Sequence, residues 1–364
     1  MQMMMTTMTL NKNKVLLGLS GGVDSTTAAL FLQKKGFDVT GFYFEVNEGR
    51  TEGAKEAKKV AEELNIPLII FDTSKKFKEI VIENFLNSYK TGKTPNPCVI
   101  CNPQIKFNLL IEHANQIGAY YIATGHYARI YRNSETEKYF VQRGANEKKD
   151  QSYMLYRLGQ DVLSRLIFPL GMSKDKEVIR EIAHENHLSN AEKADSQEIC
   201  FIDDNCNYVD FIDARGYSAP FGNFVDSDGN ILGRHRGIHC YTIGQRKGLG
   251  IALGKPAFVT QIDPVTNNIT LGSNDDLMKT EIYSYDNFFT ESNSDVIPSH
   301  FGDEFDCYAK VRYASKPAKA HVQKSSGNRM RITFEDAQRA PSPGQSVVFY
   351  DGDIVIGGGF IDNF

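Results

Sequence analysis

The stretch GLSGGVDS, residues 18–25, constrains what this chain can fold into more than any other feature. It follows Lys14–Leu19, an apolar run of strand length, and it leads into the helix-like pattern STTAALFLQKKG, which ends at Gly36. Two adjacent glycines permit positive φ angles and close backbone approach, so successive N–H groups can converge on an anion at the start of the helix. The stretch therefore predicts a phosphate site between a strand and a helix.

The polar residues of this stretch refine the prediction. Ser20 and Ser25 supply hydroxyl donors, whereas Asp24 would repel a bare phosphate and is better suited to cap the helix or to bind a metal ion and water. The stretch differs from the GxxxxGK[ST] loop, which places a lysine on the terminal phosphates. A tight strand-to-helix turn without a ligand is the alternative that the glycines alone leave open.

The rest of the N-terminal half alternates between strand and helix patterns. Strands are predicted at 38–44, 67–73 and 119–130, and helices at 53–65, 75–89 and 105–118. Such alternation is typical of an α/β fold with a doubly wound parallel sheet, whose ligands bind at the carboxyl ends of the strands. GLSGGVDS and the TGH of Thr124–His126 both occupy such ends.

The composition changes after about residue 205, where glycine and short strand patterns become frequent. GNFVDSDGNILG reads as a hairpin with DG at its turn, followed by strand patterns in HCYTIGQRKGLGI and KPAFVTQIDPVTNNITLG. Closely spaced strands at Cys307–Tyr313, Ala318–Lys324 and Arg329–Glu335 are typical of a small antiparallel barrel. We predict three domains: a doubly wound domain over 1–204, a small β-rich domain over 205–278 and a β-barrel over 279–364.

Composition sets the outer bounds on function. The net charge of −4 is not that of a general nucleic-acid coat protein, so an RNA partner would have to bind a local basic surface. Neither a signal peptide nor a stretch of about 18 apolar residues is visible, and we expect a cytoplasmic protein with no membrane partner. Cytosolic thiols stay reduced, so the six cysteines are not expected to form a disulfide framework. Cys240 and Cys307 are predicted to be small buried hydrophobic residues.

The SGGVDS string resembles the PP-loop of the ATP pyrophosphatase superfamily, whose fold is adenine nucleotide α-hydrolase-like. Together with PNPCVICNPQIKF, ATGHYAR, KDQSYMLY, DSQEICFI and YTIGQRKGLGI, it resembles the tRNA-specific 2-thiouridylase family over nearly the whole chain. The resemblance implies an enzyme that uses ATP and Mg²⁺ to adenylate O2 of the wobble uridine, U34, of tRNA. Sulfur from a cysteine persulfide then replaces that oxygen, and AMP and pyrophosphate are released.

The same resemblance implies roles for individual residues. Cys101 stands where the family carries its catalytic nucleophile, and Cys200 stands where it carries the persulfide. The resemblance implies a disulfide between Cys101 and Cys200 after turnover, which a reductant must reset. The residues implied in nucleotide binding are Gly18, Leu19, Ser20, Gly21, Gly22, Val23, Asp24, Ser25, Phe44 and Gly125.

Contacts with tRNA are implied for a further set of positions. They are Asn96, Pro97, Cys98, His126, Lys149, Asp150, Gln151, Arg312, Tyr313 and Gln345. By resemblance the substrates would be tRNAs of the Lys, Glu and Gln type. The sulfur would come from a persulfide donor such as a cysteine desulfurase or a sulfur-relay protein.

Cys98 departs from the family pattern, in which many members have an aspartate at this place. It is either a substitute thiol with little role, a ligand with Cys101 and Cys200 of a [4Fe-4S] cluster, or part of a zinc site or local redox pair. Zinc would need a fourth ligand from Cys206 or His126. We expect activity without iron.

Two other functions stay open on the sequence. The first is an adenylating synthetase that uses ammonia, and the second is a non-catalytic RNA-binding protein that retains the nucleotide fold.

Overall fold

The computed structural model describes residues 10–47, 52–193, 199–202 and 206–362. The chain forms two compact units. The first unit comprises Met1–Lys78, Val99–Gln197 and Asp353–Val355, and the second comprises Glu79–Cys98, Glu198–Gly352 and Ile356–Phe364. Within the described ranges, the helices are all too short or too polar to cross a membrane.

A five-stranded parallel sheet forms the centre of the first unit. In spatial order its strands are Leu68–Asp72, Asp38–Glu45, Asn11–Gly18, Ala119–Thr124 and Leu166–Ile167. The first strand of the chain lies between the second and the fourth, so the connections to its two neighbours leave in opposite directions. This is the topological switch point at which parallel α/β sheets bind ligands.

Helices pack around this sheet because each has an apolar face. The helices of the first unit are Val23–Lys34, Glu52–Glu63, Ser74–Phe77, Phe107–Gln116, Gln160–Leu163 and Lys176–Glu185. Val15, Leu17, Ala28 and Leu32 are fully buried between the sheet and the first helix. Their burial fixes the strand end and the helix start on either side of GLSGGVDS.

Two predicted elements of this region differ from the structure. The strand predicted at 119–130 stops at Thr124, and a second strand, Ala128–Arg132, pairs antiparallel with Tyr139–Arg143 outside the parallel sheet. The helix predicted at 75–89 is interrupted by a π-helical turn, Lys78–Ile82, before it continues as Glu83–Lys90. A π turn depends on packing, and a hydrophobic pattern does not reveal it.

The second unit contains a small mixed sheet. Its strands, in spatial order, are Phe258–Asp263, Asn268–Gly272, Gly222–Val225 and Ile231–His235. The predicted hairpin with DG at its turn is confirmed, since the last two strands pair antiparallel. The strand predicted in HCYTIGQRKGLGI is wrong. This segment is a 3₁₀ turn, Ile238–Cys240, followed by irregular chain in which Gly244, Gly248 and Gly250 have positive φ angles.

A closed antiparallel barrel completes the second unit. Around the barrel its strands are Met278–Phe289, Met330–Arg339, Ala318–Lys324, Glu304–Lys310, Ser346–Asp351 and Ile354–Ile361. The first of these also pairs with the last, with Ser284 opposite Ile361. Closure removes the exposed strand edges. Ile282, Val322 and Phe349 fill the interior without exposure to solvent. The short helix Tyr208–Asp213 begins at Asn207, whose side chain caps Val209 and Asp210.

Candidate active site

The SGGVDS loop, residues 20–25, turns directly from the central strand into the first helix. Gly21 has a φ angle of +78°, and Gly22 precedes the helix, which starts at Val23. The Ser25 hydroxyl donates to the Gly22 carbonyl at 3.0 Å and accepts from the Ser20 N–H at 3.2 Å. The loop is therefore fixed by its own serines, with its backbone N–H groups at the positive end of the helix.

Two glycines permit contacts that no other residue would allow here. A Cβ atom on Gly125 would lie 2.9 Å from the backbone N of Ser25, and one on Gly21 would lie 3.0 Å from that of Ala57. Gly125 follows the strand Ala119–Thr124, which is the immediate neighbour of the central strand. Gly125, at the end of this strand, thus lets the chain approach the helix that begins after the central strand.

A cavity of about 260 Å³ opens where these two strand ends meet. Nine of the residues predicted from the sequence line it: Gly18, Leu19, Ser20, Asp24, Ser25, Phe44, Gly125, His126 and Gln151. Tyr43, Lys106 and Thr124 also line it and were not predicted. Gly21, Gly22 and Val23 lie in the loop but not in the cavity lining.

Asp24 has a different local role from one of the two predicted for it. The residue preceding the helix is Gly22, no side chain caps the helix start, and the prediction of Asp24 as a cap is wrong. Its carboxylate instead accepts a hydrogen bond from the Tyr127 hydroxyl at 2.7 Å and one from the Lys176 ammonium at 3.1 Å. Lys176 thereby balances the charge that Asp24 brings to the cavity.

Asn190 supports the loop from behind. Its side-chain amide donates to the Gly21 carbonyl and to the Thr26 hydroxyl, both at 2.8 Å, and only 8% of Asn190 is exposed. A buried amide that holds a loop carbonyl restricts the loop to one conformation. Neither Asn190 nor Lys176 carried a motif by which the sequence could have identified it.

His126 lies at the cavity with a neutral ring. Burial, with a smaller contribution from the nearby Lys106 ammonium, lowers the pKa of His126 well below its ordinary value. Its Nδ1 lies 2.7 Å from the Thr124 hydroxyl, and its ring lies near those of Phe107 and Phe168. Gln151 reaches the same cavity and accepts from the Tyr127 N–H at 2.9 Å.

The five cysteines given roles from the sequence do not divide cleanly by exposure: Cys240 is buried as predicted, whereas Cys307 is half-buried, as Cys101 is. Cys98 and Cys200 are exposed and Cys101 is half-buried. Burial raises the pKa of Cys240, and it raises that of Cys307 to about 12, so both remain thiols at neutral pH. Residues 195–198 of the DSQEICFI string lie outside the described residues.

The helix that carries Cys98 and Cys101, Pro97–Cys101, begins at a side-chain cap. The side-chain oxygen of Asn96 accepts from the Cys98 N–H at 3.1 Å. Where side chains are described, no three His, Cys, Asp or Glu residues come together as metal ligands. The cluster alternative for Cys98, Cys101 and Cys200 therefore gains no support from the grouping of these side chains, and it is a question for iron analysis.

Comparison with protein families covers most of the chain. Residues 13–204 match the family described as a tRNA methyl transferase HUP domain, residues 209–273 its PRC-barrel domain, and residues 286–361 an aminomethyltransferase β-barrel domain. The tRNA-specific 2-thiouridylase MnmA of Clostridioides difficile (strain 630) is 44% identical, over 98% of this chain and 99% of its own length. The chain belongs to the tRNA-specific 2-thiouridylase family.

A second relative of the family is similar to the same extent. The tRNA-specific 2-thiouridylase MnmA of Clostridium botulinum (strain Alaska E43 / Type E3) is 43% identical, again over 98% of this chain and 99% of its own length. Among solved structures, NMN synthetase from Francisella tularensis is 17% identical with a TM-score of 0.34, covering 56% of this chain and 77% of that one.

The residues that the family resemblance assigns to tRNA have diverse surroundings. Asp150 is 3% exposed and accepts from the N–H groups of Gly144 and Ser152, so its carboxylate holds the turn in which it lies. Lys149 beside it is half-buried, and Tyr313 is 38% exposed. Their contacts with tRNA stay predictions.

Two of these residues bond to backbone carbonyls of the second unit. Arg312 donates to the carbonyls of Ile243 and Ala340, at 2.9 and 2.6 Å. Gln345 donates to the carbonyls of Thr94 and Pro95, at 3.0 and 3.2 Å. Gln345 therefore fixes the residues that immediately precede Asn96 and Pro97.

Proposed function

We propose that this chain is an ATP-dependent tRNA 2-thiouridylase. It adenylates O2 of the wobble uridine, U34, and replaces that oxygen with sulfur carried as a persulfide on Cys200. The products are 2-thiouridine, AMP and pyrophosphate. The observation that carries the proposal is the cavity at the switch point of the sheet, where the SGGVDS loop meets Gly125, in a chain of the 2-thiouridylase family.

The cavity suits the adenylation half of this reaction. The loop offers N–H groups and two serine hydroxyls for phosphate oxygens, and Phe44 offers an aromatic ring for the adenine. Mg²⁺ neutralises phosphate charge when it is bound, and Asp24 is the carboxylate of the lining that would hold it. The uracil O2 attacks the α-phosphorus, the bond to the β-phosphate oxygen breaks, and pyrophosphate leaves with the electron pair.

The sulfur-transfer half uses the two cysteines. The terminal sulfur of the Cys200 persulfide attacks C2, and AMP leaves with the former O2. The Cys101 thiolate attacks the bridging sulfur of Cys200, which breaks the S–S bond and leaves the terminal sulfur on the base. That sulfur is reduced while the two thiols are oxidised to a disulfide, so an external dithiol or thiol pair must regenerate the enzyme. The exposure of Cys200 is consistent with loading by a donor protein.

The substrates and the donor are proposed at a finer level. We expect tRNAs of the Lys, Glu and Gln type, and a cysteine desulfurase or sulfur-relay protein as the persulfide donor. The proposed contacts with tRNA are Asn96, Pro97, Cys98, His126, Lys149, Asp150, Gln151, Arg312, Tyr313 and Gln345. The enzyme would act in the cytoplasm.

The test separates the two halves of the reaction. Unmodified tRNA is incubated with ATP, Mg²⁺, a desulfurase and each of five proteins: wild type, Cys98→Ala, Cys101→Ala, Cys200→Ala and the control Cys307→Ala. Nucleoside mass spectrometry measures 2-thiouridine, and a second assay without sulfur donor measures tRNA-dependent pyrophosphate release. We expect no 2-thiouridine from Cys101→Ala or Cys200→Ala, while Cys200→Ala still releases pyrophosphate. Cys307→Ala serves as a matched control that keeps both activities.

Other outcomes point to the alternatives. Loss of 2-thiouridine in Cys98→Ala as well would favour the cluster, and iron analysis with anaerobic reconstitution would follow. Pyrophosphate release together with an ammonia-derived product would favour an amidotransferase-like synthetase. Binding of tRNA by wild type without any pyrophosphate release would favour a non-catalytic RNA-binding protein.

A further inference from the structure

The chain between Cys101 and the cavity contains an irregular helical turn. The helix Pro97–Cys101 passes into a π-helical turn, Asn102–Lys106, and then into the helix Phe107–Gln116. In this turn the Phe107 N–H donates to the Asn102 carbonyl, five residues back. Such turns are rare, less favourable than α-helix and frequent at functional sites. This one ends at Lys106, which lines the cavity of the SGGVDS loop.

The residues around Lys106 are fixed, so its position at the cavity follows from the fold. Asn102 is 1% exposed and its side-chain amide donates to the Met154 carbonyl at 2.9 Å. Phe107, which follows Lys106, is fully buried. The wide turn is therefore held at both ends, and the side chain that it directs to the cavity is a lysine.

The charges of the cavity make this lysine distinctive. The charged side chains of the lining are Asp24 and Lys106. Asp24 is paired with Lys176, whereas within the described part of the chain no carboxylate forms an ion pair with Lys106. An ammonium group with no carboxylate partner, in a cavity that also offers N–H groups and serine hydroxyls, suits an anionic ligand.

We propose that Lys106 is a catalytic residue of the adenylation step, whose ammonium binds a non-bridging oxygen of the α-phosphate. This inference rests on the proposed function. The SGGVDS loop, at the start of a helix, suits the departing pyrophosphate. Lys106 lies in the cavity lining and five residues after Cys101, the thiol that must reach the base in the proposed function. The Lys106 side chain stabilises the negative charge that the α-phosphate gains as O2 attacks and pyrophosphate leaves.

The pKa of His126 supports this placement. The Lys106 ammonium is near enough to His126 to contribute to its lowered pKa, after the larger effect of burial. Removal of the ammonium should therefore raise the pKa of His126 toward its ordinary value, whether or not catalysis is affected. This readout reports where Lys106 lies, independently of turnover.

The experiment compares Lys106→Met, Lys106→Arg and the matched control Lys58→Met, which changes an exposed lysine of the same unit. The measured quantity is single-turnover, tRNA-dependent pyrophosphate release without sulfur donor. We expect Lys106→Met to lower the rate by about 100- to 1,000-fold, as for other lost transition-state donors. Lys106→Arg should recover at least about tenfold of that loss, because it restores the charge. The affinity of Lys106→Met for tRNA, measured by filter binding, should stay within about twofold of wild type. The NMR resonances of the His126 ring should titrate at a higher pH in this variant than in wild type.

The outcomes separate this inference from the proposed function. No pyrophosphate release by the wild type would contradict the function itself. An active wild type with a Lys106→Met rate within about threefold of it would overturn the role of Lys106. Equal losses in tRNA binding and in rate would also overturn it, because they would make Lys106 an RNA contact. If Lys106→Met does not fold, Lys106→Gln provides the same comparison.

Discussion

The cavity of the first unit and the predicted tRNA contacts of the second unit use polar side chains in opposite ways. In the cavity, Ser20, Lys106 and His126 line open space, and residues behind them, such as Asn190, hold the loop. In the second unit, the donors of Arg312 and Gln345 bond to backbone carbonyls. The side chains of the cavity thus have open space before them, whereas Arg312 and Gln345 use their donors to fix the backbone of their own unit.

The strongest effect is expected from a substitution at Gly125, which tests the cavity side of this comparison through the affinity for ATP. Gly125→Ala places a methyl carbon 2.9 Å from the backbone N of Ser25, so the helix start must shift. We expect affinity for ATP, measured by equilibrium binding with radiolabelled nucleotide, to fall by at least about 100-fold, because a displaced N–H cradle loses several charge-assisted bonds at once.

Gly18→Ala is the matched control for this prediction. A Cβ atom there would have its nearest contacts at 3.5 Å, which is ordinary packing. We expect a loss of less than about tenfold for this variant. Equal losses in the two variants would mean that any added methyl group harms the cavity, and that the approach of Gly125 to the helix has no special importance.

The next effect tests the second unit. Arg312→Ala removes donors to the carbonyls of Ile243 and Ala340, and leaves these acceptors without the guanidinium. We expect a decrease of about 1.5 to 3 kcal/mol in the free energy of unfolding, and a KM for tRNA that rises by about tenfold, with ATP affinity unchanged. Urea denaturation and steady-state kinetics measure the two quantities.

Salt dependence distinguishes a structural arginine from a phosphate contact. If Arg312 fixes the surface, the slope of log affinity for tRNA against log salt is the same in Arg312→Ala and wild type. A slope reduced by about one, with unchanged stability, would show that Arg312 neutralises a phosphate directly. That result would remove the contrast between the two units at this residue.

The sequence predicted the edge of the sheet at which the cavity opens, because the signals for it are local. A glycine pair after an apolar run, and TGH at the end of a second run, each mark a strand end, and parallel strands place such ends together. Gly125 and Ser25 meet for this reason. The family resemblance added Phe44 and Gln151, which have no local signature.

The partners of the SGGVDS loop could not be predicted in the same way. Lys176 and Asn190 are 152 and 169 residues from the atoms they contact, and each is a common surface residue type. Lys106 reaches the cavity through a π turn, whose extra backbone spacing depends on packing at both ends. The long strand Met278–Phe289 was also missed, since polar residues interrupt its alternation and its pairing is irregular in register.

The weakest effect is expected from replacing either of two histidines, one in each unit, and it is a change in how stability depends on pH. Burial lowers the pKa of His126, whereas a hydrogen bond to Asp306 raises the pKa of His321 on the barrel. Below about pH 6.5 this histidine is protonated in the unfolded chain, whereas in the folded protein its lowered pKa keeps it neutral. His126 therefore makes the free energy of unfolding decrease as the pH falls, by at most about 1.4 kcal/mol per pH unit. His321 acts in the opposite direction. Its stabilising contribution to the free energy of unfolding is fully present below about pH 6.5 and is lost as the pH rises through the pKa of folded His321. The effect of His321 is the smaller of the two, since its side chain is 43% exposed.

Denaturation of wild type, His126→Gln and His321→Gln at several pH values between 5.5 and 8 measures this difference. Each variant differs from wild type at one histidine, so the difference between its curve and that of wild type reports that histidine together with the groups it contacts, Asp306 in the case of His321. We expect His126→Gln to gain stability relative to wild type as the pH falls, and His321→Gln to lose it. Parallel curves for His126→Gln and wild type would mean that His126 has the same pKa in the folded and the unfolded protein. Below about pH 6.5 the imidazolium would then place a second cation beside Lys106, and both groups would contribute positive charge to the cavity.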